Sequence, residues 1–210
     1  MKPVIKTYPV GHMGNNTYLF GDADSKEAVL IDPSFDVSSI LPELEKEGWQ
    51  IEAILLTHAH FDHTNGIYEL VDTLPELPPV ALHPGGMTLY HEGGLGGAGL
   101  HQNPLPEPEL ILQEGSDISI GAHKLSIYHC PGHTPGHVFF YSSETASAFV
   151  GDIIFQRSIG RTDLPGGSHQ VLLKNIREKI LTLPDETVLY PGHGTATSVA
   201  EERDGNQFLK

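Results

Sequence analysis

Short apolar runs separated by Gly, Pro, Asn and Asp set the pattern of this chain and predict strands at residues 4–8, 17–20, 28–31, 51–56, 79–82, 124–129, 138–141, 148–150 and 187–189. Helical spacing predicts helices at 38–47, 64–74 and 168–181. The last is the clearest: Leu172, Ile176 and Ile180 recur at i, i+4 with Leu173 and Leu183 beside them, and Ser168 stands where an N-cap belongs. Early strands, then helices, then further strands suit an α/β (α+β) class of fold, an αββα sandwich in which helices flank two mixed β-sheets. Residues 84–109 break the pattern. Their seven glycines and several prolines predict an irregular excursion, either a lid over a site or a surface loop, carrying His91 and His101.

Composition narrows the picture. With 210 residues and 39% hydrophobic content, the chain can bury a full core as one domain over 1–210, with no separate C-terminal helical domain. The lone cysteine, Cys130, excludes an internal disulfide and suits a reducing compartment. Its alternatives are a small buried residue or a group close to a metal. The N-terminal stretch from Met1 to Lys6 lacks the apolar core of a signal peptide and reads as a first strand. No run is long enough to span a membrane, so the expectation is a cytoplasmic protein. A net charge of −15, from 12 basic and 27 acidic side chains, argues against nucleic acid as a partner.

Candidate chemistry starts where the run Ile54-Leu55-Leu56-Thr57 ends, at His58, His60, Asp62 and His63. In an extended backbone alternate side chains share a face, so positions 58, 60 and 62 can converge while His63 turns the other way. One metal could take the imidazoles at 58 and 60, and a neighbour the carboxylate at 62 and the imidazole at 63. Solvated loop residues are the bland alternative, which serves a lone histidine better than three imidazoles and a carboxylate within six residues. The theme repeats downstream: Gly132-His133-Thr134-Pro135-Gly136-His137 offers two imidazoles, Val150-Gly151 leads to Asp152, and Tyr190-Pro191-Gly192 leads to His193. All four strand ends fit on one edge of a sandwich. Spacing alone leaves His133 and His137 as equal candidates.

This set, His58, His60, Asp62, His63, His133, Asp152 and His193, resembles the ligand series of the metallo-β-lactamase superfamily. The resemblance implies that His58, His60 and His133 hold one metal, that Asp62, His63 and His193 hold a second, and that Asp152 bridges them. It takes His133 over His137, leaving His137 as a hydrogen-bonding residue at the start of its strand. Within the superfamily, residues 57–66, 132–137, 160–168, 191–194 and 201–208 are similar to the small single-domain glyoxalase II-like hydrolases. Two features depart from the longer relatives. Their helical C-terminal domain, which supplies glutathione contacts, has no counterpart here, and the ending reads Asn206-Gln207-Phe208 where relatives often have Asn-Pro-Phe.

The resemblance implies two divalent ions per chain, zinc first, with iron or manganese as alternatives. Such a pair can share a water, lower its pKa and deliver hydroxide to a carbonyl, with Asp152 between the ions and Asp62 orienting the hydroxide or taking its proton. A thiolate, with a free-thiol pKa of about 8.5, leaves unaided. The glyoxalase II-like resemblance implies a small-molecule thioester substrate, of the S-lactoylglutathione type, and thioester cleavage needs no dedicated proton donor. Arg161, in Gly160-Arg161-Thr162-Asp163, could bind a substrate carboxylate or could pair locally with Asp163. The alternatives are a mononuclear iron persulfide dioxygenase, which shares that stretch, a lactone or ester hydrolase, and a non-catalytic binding module. Secreted β-lactamases fit less well, because they usually differ at the position of Asp152.

Overall fold

A computed structural model of the protein describes residues 2–95 and 103–210. The first half forms a six-stranded sheet in chain order: β1 (Val4–Val10), β2 (Asn15–Gly21), β3 (Glu27–Ile31), β4 (Gln50–Leu55), β5 (Val80–Leu82) and β6 (Leu110–Ile111). Strands β1 to β3 are antiparallel, and β3 to β6 run parallel. The second half begins with β7 (Asp117–Ile120), β8 (His123–His129), β9 (Val138–Ser142) and β10 (Ser147–Gly151). A small hairpin, β11 (Ile154–Phe155) and β12 (Ser158–Ile159), precedes β13 (Val188–Pro191) and β14 (Thr197–Ser198). Those strands make a second six-stranded sheet in the order β14-β13-β10-β9-β8-β7, in which β13 lies parallel to β10.

The two-residue period of the strands sorts side chains into separate cores. Tyr18 and Phe20 of β2, Val29 and Ile31 of β3, and Leu55 of β4 point between the sheets, where they meet Leu125, Phe140 and Phe149. Their neighbours Leu19, Leu30 and Ile54 point outward and pack under α1 (Leu41–Glu47) and α3 (Gly66–Thr73), with the short α2 (Phe61–Thr64) preceding α3. On the far side Phe139, Ala148, Val150 and Leu189 face Leu172 and Ile176. The result is an αββα sandwich with mixed sheets, as the order of apolar runs predicts. Nine of its strands lie where that order places them, with ends differing by one or two residues.

Several elements differ from expectation. After the short α4 (Met87–His91) and the Pro84–Gly86 turn before it, the 84–109 excursion is not wholly irregular. Tyr90 is buried there and donates its hydroxyl to the Pro106 carbonyl at 2.8 Å, which anchors the turn. His91 is exposed and meets Glu107 at 2.9 Å, while His101 lies outside the described residues. The predicted 168–181 helix starts as expected, with Ser168 Oγ accepting from the Val171 N–H, and forms α5 (His169–Asn175). It then widens into a π turn over Ile176–Ile180. A helix absent from the predicted set, α6 (Val199–Gly205), is capped by Ser198. None of the described helices is long and apolar enough to cross a membrane.

Candidate metal centre

β4 ends at Leu55, the chain bends at Thr57, and His60, with φ −67° and ψ 146°, leads into α2 at Phe61. His58 and His60 therefore lie on the irregular link after the strand, and Asp62 and His63 sit on a helical turn. This corrects the reading that placed 58, 60 and 62 on one extended face. The tight turn still swings Asp62 and His63 to the same edge, and the four side chains are buried together.

Asp32, just beyond β3 at φ +50°, sets the position of this segment. Its Oδ1 accepts the Thr57 N–H at 2.7 Å, and its Oδ2 accepts the Thr57 hydroxyl at 2.6 Å and the His63 Nδ1–H at 3.1 Å. Thr57 Oγ1 in turn lies 3.1 Å from His58 Nδ1, whose proton it accepts because its own goes to Asp32. These bonds fix the tautomers of two rings. His58 Nε2 and His63 Nε2 are left facing inward.

In the second sheet the loop after β8 supplies His133. Its Nδ1–H donates to the Arg161 carbonyl at 2.8 Å, which turns Nε2 toward His60 Nδ1 at 2.9 Å. His58 Nε2 approaches the same His60 nitrogen at 3.1 Å. A single His60 proton cannot serve both neighbours. Burial lowers the His58 and His133 imidazoles and brings His60, beside His133 and His63, to about 4. The three rings are thus neutral, with His58 Nε2 and His133 Nε2 both facing His60 Nδ1 and His60 Nε2 buried without a hydrogen-bond partner.

Of the two histidines left open by spacing, His133 joins this group. Both nitrogens of His137 are engaged elsewhere: Nδ1–H donates to the Val138 carbonyl at 3.0 Å, and Nε2 accepts the Asp152 N–H at 3.1 Å. Its ring stacks on His58 with centroids 4.5 Å apart. His137 is a hydrogen-bonding residue, as expected.

A second group adjoins the first. Asp62 Oδ2 accepts from Asn15 Nδ2 at 3.0 Å and lies 3.1 Å from His193 Nε2 and 3.6 Å from His63 Nε2. Asp152 stands between the groups, with Oδ1 at 3.5 Å from His63 Nε2 and Oδ2 at 3.7 and 3.8 Å from His133 and His193. Burial opposes the charge on both carboxylates, but His63 overcomes it, aided by His193 at Asp62 and by His133 at Asp152, so both carboxyls lie well below the usual range. Burial lowers and these carboxylates raise His63 and His193, with a net upward shift.

The donors of His58, His60 and His133 lie within 4.8 Å of one another, as do those of Asp62, His63 and His193. Asp32, His58 and His63 also lie that close, but both Asp32 oxygens are already occupied. His63 Nε2 and Asp152 Oδ1 are buried without a hydrogen-bond partner. Native interiors leave few such atoms unpaired. A neutral imidazole trio, a mixed carboxylate–imidazole trio and an unpartnered carboxylate oxygen between them fit two divalent cations. Gly192 is part of the fit, because a Cβ there would collide with Asp152 Oδ1 and the His63 ring.

These side chains open into a cavity of about 300 Å³ lined also by Met13, Phe61, Leu95, Arg161 and Leu164. A larger groove of about 490 Å³ near Leu44, Trp49 and Leu74 carries no such cluster. Arg161 reaches the cavity but forms the local pair, donating Nε–H and Nη2–H to Asp163 at 2.8 and 2.9 Å. Cys130 is buried in the outer core of the second sheet and takes the small-residue reading.

Sequence reasoning missed Asp32, Thr57 and Asn15 as supports. Asp32 carried a readable signal, since Ile31-Asp32-Pro33 is another carboxylate at an apolar strand end. It also missed Glu202, fully buried in α6. The Glu202 carboxylate accepts from Arg157 N–H, Asn206 Nδ2 and Thr197 Oγ1 at 2.9, 2.7 and 2.7 Å, which ties the chain end to the hairpin between Asp152 and Arg161. Asn206 also donates to the Ser158 carbonyl at 2.9 Å, so the Gln207 departure leaves that tie intact.

Comparison with known proteins agrees with this geometry. The chain is 37% identical over 205 residues to the probable metallo-hydrolase YqgX of Bacillus subtilis, covering 96% of this chain and 95% of YqgX. It is 31% identical over 218 residues to the hydroxyacylglutathione hydrolase GloC of Haemophilus influenzae, covering 98% and 97%. The human mitochondrial persulfide dioxygenase ETHE1 is 35% identical over 198 residues, 92% of this chain and 70% of ETHE1. Among solved structures, the BLEG-1 B3 metallo-β-lactamase superposes with a TM-score of 0.88 at 38% identity, covering 99% of this chain and all of that one. The di-iron-bound form of TTHA1623 gives 0.83 at 38% identity, with 97% of this chain and all of that one covered. The sequence profile described as Metallo-beta-lactamase superfamily matches residues 10–193, and with these likenesses it shows that the chain belongs to that superfamily.

Proposed function

We propose that the chain is a metal-dependent hydrolase that cleaves a small-molecule thioester. The observation that carries this reading is the pair of adjoining donor groups around Asp152, with His63 Nε2 and Asp152 Oδ1 buried without a hydrogen bond. His58, His60 and His133 would hold one ion, Asp62, His63 and His193 the other, and Asp152 would serve both. Zinc is the first expectation, and the di-iron form of a 38% identical structure brings in iron. When bound, a pair of divalent ions acidifies water and polarises a carbonyl.

The chain's own groups would do the rest. Asp62, held by Asn15 and kept ionised, stands at the cavity wall where it can orient a water and take a proton at its carboxylate. Asp32 and the Arg161 carbonyl lock the rings of His63 and His133 so that the site is assembled before substrate arrives. A thiolate leaving group asks for no acid, and a thioester suits a site whose described lining offers no separate proton donor besides its histidines. The likeness to GloC across nearly the full length of both chains supports the thioester over other acyl compounds.

The likeness to ETHE1 favours one second reading, a persulfide dioxygenase with a single iron. Elemental analysis of protein made without added zinc, with cleavage of S-lactoylglutathione and of a β-lactam and oxygen uptake on a glutathione persulfide, separates them. The expected result is about two ions per chain and thioester turnover. One iron with persulfide-dependent oxygen uptake would replace this reading with the second, and β-lactam cleavage alone would replace it with that of a lactamase.

A further inference from the structure

The mouth of the cavity carries apolar surface that the metal-holding groups do not require. Met13 and Leu95 are 43% and 39% exposed, and with Phe61 and Leu164 they line the same space as His60 and Asp152. Both exposed residues sit on held backbone. Leu95 takes φ +62°, a left-handed conformation that disfavours a residue with a Cβ. The glycines at 93 and 94 adopt such angles without penalty, yet the chain places leucine at the position that faces the cavity. Its neighbour Gly94 accepts the Phe61 N–H at 3.0 Å, which fastens the segment to α2. Met13 rides on the β1–β2 turn, and its carbonyl lies 3.3 Å from His193 Nδ1.

An aromatic column backs this lip. The His12 ring lies 5.0 Å from Phe35, and Phe35 lies 6.0 Å edge-on from Phe61. Opposite, Arg161 is the one lysine or arginine lining the cavity among the described residues, and its guanidinium fork is filled by Asp163. A charged peptide arm would find no free cation on that wall. An apolar arm would cover two exposed side chains and gain their desolvation.

We infer that the non-reacting arm of the substrate is apolar and uncharged and seats against Met13, Phe61, Leu95 and Leu164. The inference rests on the thioester reading for the reacting end and narrows it away from glutathione conjugates. The arm can belong to the acyl or the thiol side of the thioester, since both present the same chemistry to the lip.

Calorimetry on the metal-loaded full chain tests this with two thioethers that cannot be hydrolysed, S-hexyl-N-acetylcysteamine and S-methylglutathione. The hexyl compound is expected to bind at least about tenfold tighter, and Leu95→Ser and Met13→Ser should each weaken it roughly three- to tenfold while leaving S-methylglutathione within about twofold. Tighter binding of S-methylglutathione, or hexyl affinity indifferent to both substitutions, overturns the inference. Turnover locates the arm: faster cleavage of S-hexanoyl-N-acetylcysteamine assigns it to the acyl side, and faster cleavage of S-hexyl thioacetate to the thiol side. S-lactoylglutathione cleaved faster than both overturns it. If no thioester is cleaved but the hexyl probe binds and both variants weaken it, the hydrolase reading falls and the apolar seat stands.

Discussion

Asp32 accepts the Nδ1–H of His63 at 3.1 Å with both side chains buried, so a residue outside every histidine motif determines which way the His63 ring faces. Replacing it by alanine removes that acceptor and leaves the Thr57 N–H and hydroxyl unpaired in the interior. Asp32→Ala is expected to lower stability by about 1–3 kcal/mol and to weaken metal retention by about 10–100-fold. Thermal unfolding of the metal-free protein measures the first, and titration against a chelator the second. Retention equal to the parent would mean that His63 needs no orienting partner.

His133 and His137 lie in one short turn but should behave differently. His133→Ala is expected to remove a donor and with it about one ion per chain. His137→Ala takes an acceptor from the Asp152 N–H and a stacking partner from His58. It should leave both ions bound with affinity reduced about tenfold. Elemental analysis after gel filtration distinguishes the two, and loss of an ion from His137→Ala alone would reverse their roles.

Gly192 tests whether the placement of Asp152 matters. The collision of a Cβ with Asp152 Oδ1 and His63 requires one of them to move. Gly192→Ala is expected to reduce kcat/KM by about 100-fold while shifting the unfolding midpoint of the metal-free protein far less than a core truncation such as Phe149→Ala, which should cost about 3–5 kcal/mol. A Gly192→Ala enzyme with parental kinetics would show that the edge of β13 yields freely.

Cys130 gives a pH dependence. Burial pushes its thiol up to about 12, against about 8.5 in an unfolded chain. The folded state therefore holds its proton longer, and the stability this contributes is complete below about 8.5 and is lost as pH rises toward 12. At pH 10 the parent should have lost about 2 kcal/mol relative to pH 7 that Cys130→Ala does not lose. Denaturant titration of both proteins at the two pH values measures the difference. In the native state the thiol should also resist iodoacetamide at pH 8; rapid alkylation without unfolding would contradict its burial.

What could be read from residues alone followed from side chains that act where their strands end. His58, His133, Asp152 and His193 each close an apolar run, so the run locates the strand and the polar residue after it locates the edge. The residue types of Asp62 and His63 are legible but their backbone is not, since a helical turn as short as Phe61–Thr64 carries no period to read. The two-residue strands β6, β11, β12 and β14 went unread for the same reason. Helix α6 was hidden differently. Its sequence Val-Ala-Glu-Glu-Arg-Asp-Gly looks solvated, and only the tertiary partners of Glu202 reveal that one of those carboxylates is interior. At Arg161 the local ion pair with Asp163 forms because two residues of separation bring the fork and the carboxylate into register.

The proposed ligands come from both leaves of the sandwich: His58, His60, Asp62 and His63 follow the first sheet, and His133, Asp152 and His193 follow the second. Any cation gripped by both sets would act as a removable rivet through the seam, adding to the hydrogen bonds that Asn16, Tyr18 and Thr57 already make across it. Heat resistance would then rise with the free concentration of the ion, so the supply of metal would govern how long the protein survives as well as whether it works.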